Sequence, residues 1–234
     1  MYYYYDYSWL VLIPAMIFTF VCQSRINNAY RTYSQVRTSR GITGAEAARA
    51  MMDANGLSGL TVNILNGGNA LTNFYDPKTK SLNLSREVYS SDSIASVCIA
   101  CHEVGHAIQD AQHYAPLAFR NGIVPVVNLT QMVSWPLIFF GLIASSASPY
   151  GSFMFNIGVI CFLVVILFHL VTLPVEFNAS NRALQNLREL RLVDEEDYVG
   201  SRAVLKAAAM TYVAALATAV ASLLRIFLIA GRRN

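Results

Sequence analysis

The sequence predicts a mainly α integral membrane protein with about four transmembrane helices and a small α+β part in the cytoplasm. Hydrophobic residues make up 55% of the chain and charged residues only 13%, and the mean hydropathy is +0.40. A soluble domain carries roughly 25% charged residues, so this composition is typical of a membrane protein. The apolar residues are also grouped, since no Asp, Glu, Lys or Arg occurs between Arg120 and Glu176 or between Lys206 and Arg225. Because a membrane-spanning helix needs about 20 apolar residues, the first gap predicts two spans and the second predicts one.

A further span is predicted near the N-terminus, at about residues 7–23, as an uncleaved anchor whose N-terminus lies outside the cell. A secretory signal peptide begins with a basic segment, whereas this chain begins with consecutive tyrosines followed by Asp6. Tyrosine favours the membrane–water interface, and arginine favours cytoplasmic loops. Because several arginines between positions 25 and 40 follow the span, we expect residues 24–120 to lie in the cytoplasm.

The charge-free stretch after Arg120 predicts a membrane hairpin. Its first span covers about 123–146, with kinks expected at Pro125 and Pro136 because proline removes a helical hydrogen bond. Its second span covers about 152–174. Small and polar residues just before this second span predict a short external turn.

The last apolar stretch predicts a fourth span at about 207–228. With four spans the tail would lie outside the cell, which sets Arg232 and Arg233 against the positive-inside rule. A re-entrant helix, or a helix buried in the bundle, is therefore the alternative. The predicted domains are 1–23 (anchor), 24–120 (cytoplasmic part), 121–175 (membrane hairpin), 176–206 (charged helical segment) and 207–234 (C-terminal transmembrane or re-entrant helix).

The cytoplasmic part is predicted to begin with a short helix and to continue with three strands. Thr43 and Glu46 form a capping-box pattern before a helix over 44–54, which Asn55 and Gly56 end. Alternating apolar and polar residues between turns predict the strands. The strands are expected at 60–65, 70–75 and 80–84, joined by turns at 66–69 and 76–79. We expect them to form a small antiparallel sheet.

A second helix is predicted after the sheet, and it carries the most specific pattern in the chain. The helix is expected to be capped by Ser91 or Asp92 and to end near Ala111. Its apolar runs are too short to span a bilayer. Residues 102–106 are His-Glu-Val-Gly-His, which matches the H-E-x-x-H pattern.

This pattern predicts a zincin-like site on the cytoplasmic part. His102 and His106 lie one turn apart on the same helix face, where both can bind one zinc ion. Glu103 can then take a proton from the zinc-activated water and pass it to the leaving amine. Two core histidines and a buried glutamate are the structural alternative, which is unfavourable because an unpaired buried glutamate is costly. An edge strand of the sheet can bind an extended substrate, with simple packing against the helix as the alternative.

A catalytic zinc ion needs a third protein ligand and an open fourth position. His113 falls one residue late for the longer pattern in which a third histidine follows the motif, and His169 lies inside a predicted span. Glu176 is the first charged residue after the membrane hairpin, on the cytoplasmic side with the motif helix, so we expect it to complete the site. A helix cap or an interface anchor is the alternative role of this carboxylate.

Four segments taken together resemble one bacterial family. They are Asp-Pro at 76–77, Leu-Ser-Arg-Glu-Val-Tyr at 84–89, His-Glu-Val-Gly-His-Ala-Ile-Gln at 102–109 and Pro-Val-Glu-Phe-Asn-Ala-Ser at 174–180. They resemble the YugP-type neutral zinc metallopeptidases, and the resemblance covers nearly the whole chain. The resemblance implies a membrane-bound gluzincin whose third zinc ligand is Glu176. Many gluzincins have an aspartate four residues later that supports a ligand histidine. This chain has Ser180 there, so the supporting carboxylate is either another residue, such as Asp110, or absent.

A competing pattern overlaps the motif. Cys98 and Cys101 precede His102 as C-x-x-C-H, the attachment sequence of c-type haem. Haem is attached outside the cytoplasm, whereas the arginines predict a cytoplasmic location for this segment. The haem hypothesis also leaves Glu103 and His106 without a role, and the two cysteines have a simple alternative as small core residues.

A non-catalytic membrane scaffold with a retained metal site is the third class that we considered. A structural zinc site normally has four protein ligands, whereas only three are visible here beside a well-placed base, which favours catalysis. Arg182 and Tyr212 are candidates for stabilising the oxyanion, with packing as their alternative role.

We therefore expect a zinc metalloendopeptidase of the cell membrane with its active site on the cytoplasmic side. One Zn²⁺ per chain is expected to be held by His102, His106 and Glu176, with Glu103 as general base. The expected partners are the lipid bilayer and an unidentified peptide or protein substrate. Nucleic acid is not expected, because the net charge is only +3 and the basic residues lie beside membrane spans.

Overall fold

The computed structural model describes residues 7–65, 72–145 and 148–231, which form a mainly helical protein with one small sheet. A 3-10 turn over Ser8–Val11 leads into the first helix. The helices are α1 (Leu12–Tyr33), α2 (Gly44–Ala54), α3 (Arg86–Ser90), α4 (Ile94–Ala111), α5 (Ala115–Ala144), α6 (Pro149–Glu189) and α7 (Glu195–Gly231). The strands are β1 (Thr61–Leu65), β2 (Phe74–Asp76) and β3 (Ser81–Ser85).

Among the described residues, four helical stretches are long and apolar enough to cross a membrane, which confirms the fold class and the number of spans predicted from the sequence. They are Ser8–Tyr33, Ala115–Ala144, Pro149–Glu189 and Glu195–Gly231. Pro125 and Pro136 both lie inside the continuous helix α5. Part of the predicted external turn, at 146–147, lies outside the described residues.

Helix α6 does not end where the third span was predicted to end. It continues through Pro174 to Glu189, so Glu176 lies inside a continuous helix and does not open a new one. Packing accounts for this continuation despite the hydrogen bond that proline removes. Four small or apolar side chains spaced four residues apart are fully buried and form one stripe on this part of the helix. They are Val175, Ala179, Ala183 and Leu187.

The chain divides into two compact units. The first comprises Met1–Cys22, Phe119–Leu173 and Thr211–Asn234. The second comprises Gln23–Ala118 and Pro174–Met210. The first unit holds the most apolar parts of the four long helices, and the second holds the sheet, α2, α3 and α4.

Within the first unit, α5 and α6 pack closely at glycines. A Cβ atom at Gly141 would collide with the backbone of Phe155, and one at Gly158 would collide with Ile138. The aromatic rings of Trp135 and Phe162 meet edge to face, with their centroids 5.5 Å apart. These van der Waals contacts hold the two helices together, because the hydrophobic effect contributes little to helix association in lipid.

The core of the second unit forms around α4, which is buried on most of its surface. The predicted capping box of α2 is confirmed, because Thr43 accepts from the Glu46 N–H and Glu46 accepts from the Thr43 N–H. The predicted cap of α4 is wrong: the cap is Ser93, whose hydroxyl accepts from the Ser96 N–H. Asp92 is unavailable as a cap because its carboxylate pairs with Arg37.

The predicted antiparallel sheet is also wrong. The strand order is β1-β3-β2, so β1 and β2 do not pair with each other, and β1 runs parallel to β3 while β2 runs antiparallel to it. Strand β3 takes the centre because its Leu82 and Leu84 are fully buried, whereas β1 and β2 are partly exposed. The predicted turn at 66–69 lies outside the described residues. The turn after β2 is present, with Asp76 accepting from the Lys78 N–H.

Candidate metal centre

Helix α4 places the two motif histidines on the face opposite its core contacts. Val97, Cys101 and Val104 are fully buried in the core of the second unit, which fixes the rotation of the helix. His102 and His106 therefore project together from the other face, with their ring centroids 4.8 Å apart and their planes nearly perpendicular.

Glu176 on α6 meets both histidines. Its Oε2 lies 3.3 Å from the Nε2 atom of His102 and 3.6 Å from the Nε2 atom of His106. The three side chains are largely shielded from water, at 16%, 12% and 4% exposure for His102, His106 and Glu176. Gly105 permits this meeting, because a Cβ atom there would lie 2.5 Å from the carbonyl oxygen of Ala179 on α6.

The geometry of this cluster fits a zinc ion. One ligand atom from each of the three residues lies within 4.8 Å of the others. Zinc bonds nitrogen and oxygen at about 2.0–2.2 Å with tetrahedral angles, which puts neighbouring ligand atoms about 3.3–3.6 Å apart. The contacts of Glu176 with the two histidines have close to this spacing. Two imidazoles and one carboxylate also form a donor set that zinc uses in catalytic sites.

His106 is held by the buried side chain of Gln109, for which the sequence predicted no role. The Gln109 Nε2 group donates to the Val175 carbonyl at 2.8 Å and to the Asn178 side chain at 3.0 Å. This fixes the amide so that its oxygen, 3.0 Å from the His106 Nδ1, accepts a hydrogen bond. The Nδ1 atom then carries the proton and the lone pair of Nε2 faces Glu176. In the sequence, this contact is indicated only by an amide side chain three residues after His106.

His102 is supported by Ser180 instead of a carboxylate. The Ser180 hydroxyl lies 3.2 Å from the His102 Nδ1. The alternative supporting residue, Asp110, has other partners, since its carboxylate accepts from the Tyr75 hydroxyl at 2.7 Å and from the Lys80 ammonium at 2.6 Å. At the position where many gluzincins have an aspartate, the neutral hydroxyl of Ser180 therefore contacts a histidine of the cluster.

Glu103 lies beside the cluster in a desolvated setting. Burial raises the pKa of its carboxyl, the charges of His102 and His106 lower it, and the net direction is upward. The backbone N–H of Tyr75 on β2 donates a hydrogen bond to this carboxylate. A carboxyl with a raised pKa holds a transferred proton more readily, which suits a general acid–base group.

The acidic groups around His106 raise the pKa of its imidazole. Burial lowers the pKa of its imidazole, but the nearby carboxylates of Glu176 and Glu103 raise it more, so the net direction is upward. Metal binding at this cluster therefore competes with a proton and releases it.

The C-x-x-C-H pattern does not form an accessible haem attachment site. Cys98 and Cys101 are fully buried in the continuous helix α4. Burial raises the pKa of the Cys101 thiol to about 12 and that of Cys98 further. Both thiols pack in the hydrophobic core of the second unit.

The two residues that the sequence offered for oxyanion stabilisation are Arg182 and Tyr212. Arg182 donates to Gln112 and to Asn178, both at 2.7 Å, and so braces α4 against α6. Tyr212 lies on α7, in the first unit.

Replacing Gln109 with Ala is expected to weaken zinc binding about 10–100-fold, because His106 loses the acceptor that fixes its tautomer and ring orientation. Competition with a chromophoric zinc chelator measures the affinity. The matched control is Gln185→Ala, which removes an amide that pairs with Glu189 on the exposed face of α6. Circular dichroism checks that both variants remain folded. Equal affinities in a folded Gln109→Ala variant and the parent would show that the amide does not orient the ligand.

Comparisons with known proteins cover nearly the whole chain. The family model described as "Putative neutral zinc metallopeptidase" matches residues 8–231. The chain is similar to "Putative membrane protease YugP" of Bacillus subtilis (strain 168), with 40% identity over 218 residues that cover 93% of each chain. No solved structure matches. The matched region includes the four long helices and all residues of the cluster.

Proposed function

The chain belongs to the neutral zinc metallopeptidase family, and on that premise we propose that it is a membrane metalloendopeptidase. In this proposal, His102, His106 and Glu176 hold one zinc ion per chain and Glu103 is the general base. The observation that carries the proposal is the convergence of Glu176 on both motif histidines at 3.3 and 3.6 Å. A family name alone would leave the third ligand undefined.

A zinc ion at this cluster supplies a Lewis acid that polarises a peptide carbonyl and lowers the pKa of water. The protein residues supply the remaining functions. Gln109 and Ser180 contact the Nδ1 atoms and so direct both Nε2 atoms to one point. Because the fold of the second unit fixes these contacts, little reorganisation is needed during the reaction.

Glu103 is proposed to move the proton. Its carboxylate first accepts a proton from the attacking water and then donates it to the leaving amine nitrogen. The raised pKa of this carboxyl suits both steps, since a group must be able to hold the proton between them. The Tyr75 N–H hydrogen bond fixes the orientation of the carboxylate beside the cluster.

Strand β2 is proposed to bind the substrate backbone. Among the described residues it pairs with β3 on one side only, so it is an edge of the sheet. Its Tyr75 N–H reaches Glu103, so a peptide added along this edge would pass beside the base. The exposed Phe74 on this strand offers an apolar contact to a substrate side chain. The alternative role of this strand is structural, since the Tyr75 hydroxyl donates a hydrogen bond to Asp110.

The active site is proposed to face the cytoplasm. The chain is a membrane protein by its four long apolar helices and by its similarity to a membrane protease. The arginines that follow the first span favour the cytoplasm for the second unit, which contains the cluster.

Metal removal tests the proposal directly. Detergent-purified protein is expected to contain close to one zinc per chain and to cleave members of a fluorogenic peptide library. Chelation should abolish cleavage and stoichiometric zinc should restore it, because the carbonyl and the water lose their activating ion. Elemental analysis and the rate of fluorescence increase are the measurements. Cleavage that survives complete zinc removal contradicts the mechanism, and zinc-loaded protein that cleaves no peptide supports the scaffold alternative.

A further inference from the structure

Arg225 is a cation in a unit whose described residues hold no acidic side chain. Arg225 lies on α7, and its buried Nε atom has no hydrogen-bond partner. The described residues of the first unit (7–22, 119–145, 148–173 and 211–231) include no Asp or Glu. A guanidinium in a membrane-spanning unit is costly unless it is paired, so its counter-charge must come from another source.

A cavity of about 530 Å³ lies beside Arg225. It is lined by α1, α5 and α7, and its walls include Trp135, Phe139, Leu142 and Ile229. Its volume lies within the range of about 300–1,000 Å³ that small-molecule sites occupy. Trp135 and Phe139 are 50% and 60% exposed, so the cavity opens on a surface that a membrane helix presents to lipid.

The position of Arg225 is that of a headgroup contact. It lies six residues before the end of α7 at Gly231, which is about 9 Å along the helix axis. Arginine side chains near the ends of membrane helices reach the level of the lipid headgroups. The apolar walls and the single cation therefore match a molecule with a long hydrocarbon part and an anionic end.

We propose that this cavity binds one anionic phospholipid, whose phosphate pairs with the Arg225 guanidinium and whose acyl chain lies against Trp135, Phe139 and Leu142. The guanidinium presents a planar fork of donors that matches phosphate oxygens. A zwitterionic phospholipid can fill the same walls, but its own ammonium group leaves the charge of Arg225 uncompensated. The proposal does not depend on the zinc site.

Native mass spectrometry in a non-ionic detergent tests the proposal with phosphatidylglycerol and phosphatidylcholine of identical acyl chains. The full-length parent is expected to retain one phosphatidylglycerol and to prefer it at least about fivefold over phosphatidylcholine. Arg225→Gln should abolish this preference, and Arg225→Lys should keep much of it. The matched control is Arg120→Gln, which removes the other arginine of the described first unit and should leave the preference unchanged.

Two further variants test the cavity and the counter-charge of Arg225 separately. Leu142→Trp fills the cavity and should weaken the binding of both lipids. Asp6, which lies outside the described residues, is the single acidic side chain in the sequence of the first unit. Lipid preference that appears only in Asp6→Asn would overturn the proposal, since Arg225 would then be paired within the chain. Equal binding of both lipids by the parent, displacement of phosphatidylglycerol by inorganic phosphate, or unchanged preference in folded Arg225→Gln would also overturn it.

Discussion

Replacing Glu103 with Gln is expected to lower peptide hydrolysis by about 10²–10⁴-fold, the range that a general acid–base group contributes. The amide has the shape of the carboxylate, and its oxygen can still accept from the Tyr75 N–H. It can neither take a proton from water nor return one to the leaving amine. Zinc content is expected to stay near that of the parent, because Glu103 is outside the cluster of His102, His106 and Glu176.

The measurements for this variant are kcat/KM on the fluorogenic peptides and zinc per chain by elemental analysis. The matched control is Glu189→Gln, which makes the same chemical change at an exposed position of α6 where the carboxylate pairs with Gln185. The control should keep both parental values. A Glu103→Gln variant that cleaves at the parental rate would remove Glu103 from the mechanism, whereas loss of zinc from it would indicate a ligand role.

Replacing Glu176 with Gln is expected to weaken zinc binding by more than about 100-fold, beyond the effect of losing a residue that only supports a ligand. The carboxylate is nearly buried between two imidazoles, and the amide keeps its volume while losing its charge. Peptide hydrolysis should fall with the zinc content. Glu189→Gln is again the matched control, on the same helix but away from the cluster.

Thermal unfolding gives a second measurement for this variant. A ligand that binds the native state stabilises it by about 2.7 kcal/mol at 100 times Kd. The parent should therefore show a higher Tm with zinc than after chelation, and Glu176→Gln should show nearly the same Tm in both conditions. A variant that binds zinc with parental affinity would place the third ligand elsewhere. Asp110 would then be a poor substitute, because Tyr75 and Lys80 already hold its carboxylate.

The membrane spans were predictable because hydrocarbon imposes a simple rule on the chain. A helix in lipid satisfies its own backbone and must be apolar for about 20 residues, so charge-free stretches identify the spans. The capping box at Thr43 and Glu46 was predictable for a similar reason, since the two residues interact within one turn. The prediction of roles for His102, Glu103 and His106 depends on one helical turn and on a motif with a known mechanism.

The sheet shows where local patterns stop being sufficient. Alternation located three strands to within a few residues, but it carries no information on which strand pairs with which. The burial of Leu82 and Leu84 places β3 between the other two strands. The cap of α4 was displaced to Ser93 for a related reason, because the distant Arg37 pairs with Asp92.

The sequence by itself determined the four apolar helices and the small α+β part, and it predicted a cytoplasmic location and a zinc-binding role for the motif helix. Only the tertiary structure decided that Glu176 lies 3.3 Å from His102, that Gly105 lets α6 approach α4, and that Gln109 and Ser180 hold the two imidazoles. The physical reason is the range of the interactions. Hydropathy and caps depend on residues within a turn or a span, whereas the cluster depends on how the buried stripe of α6 packs against α4 from a distant part of the chain.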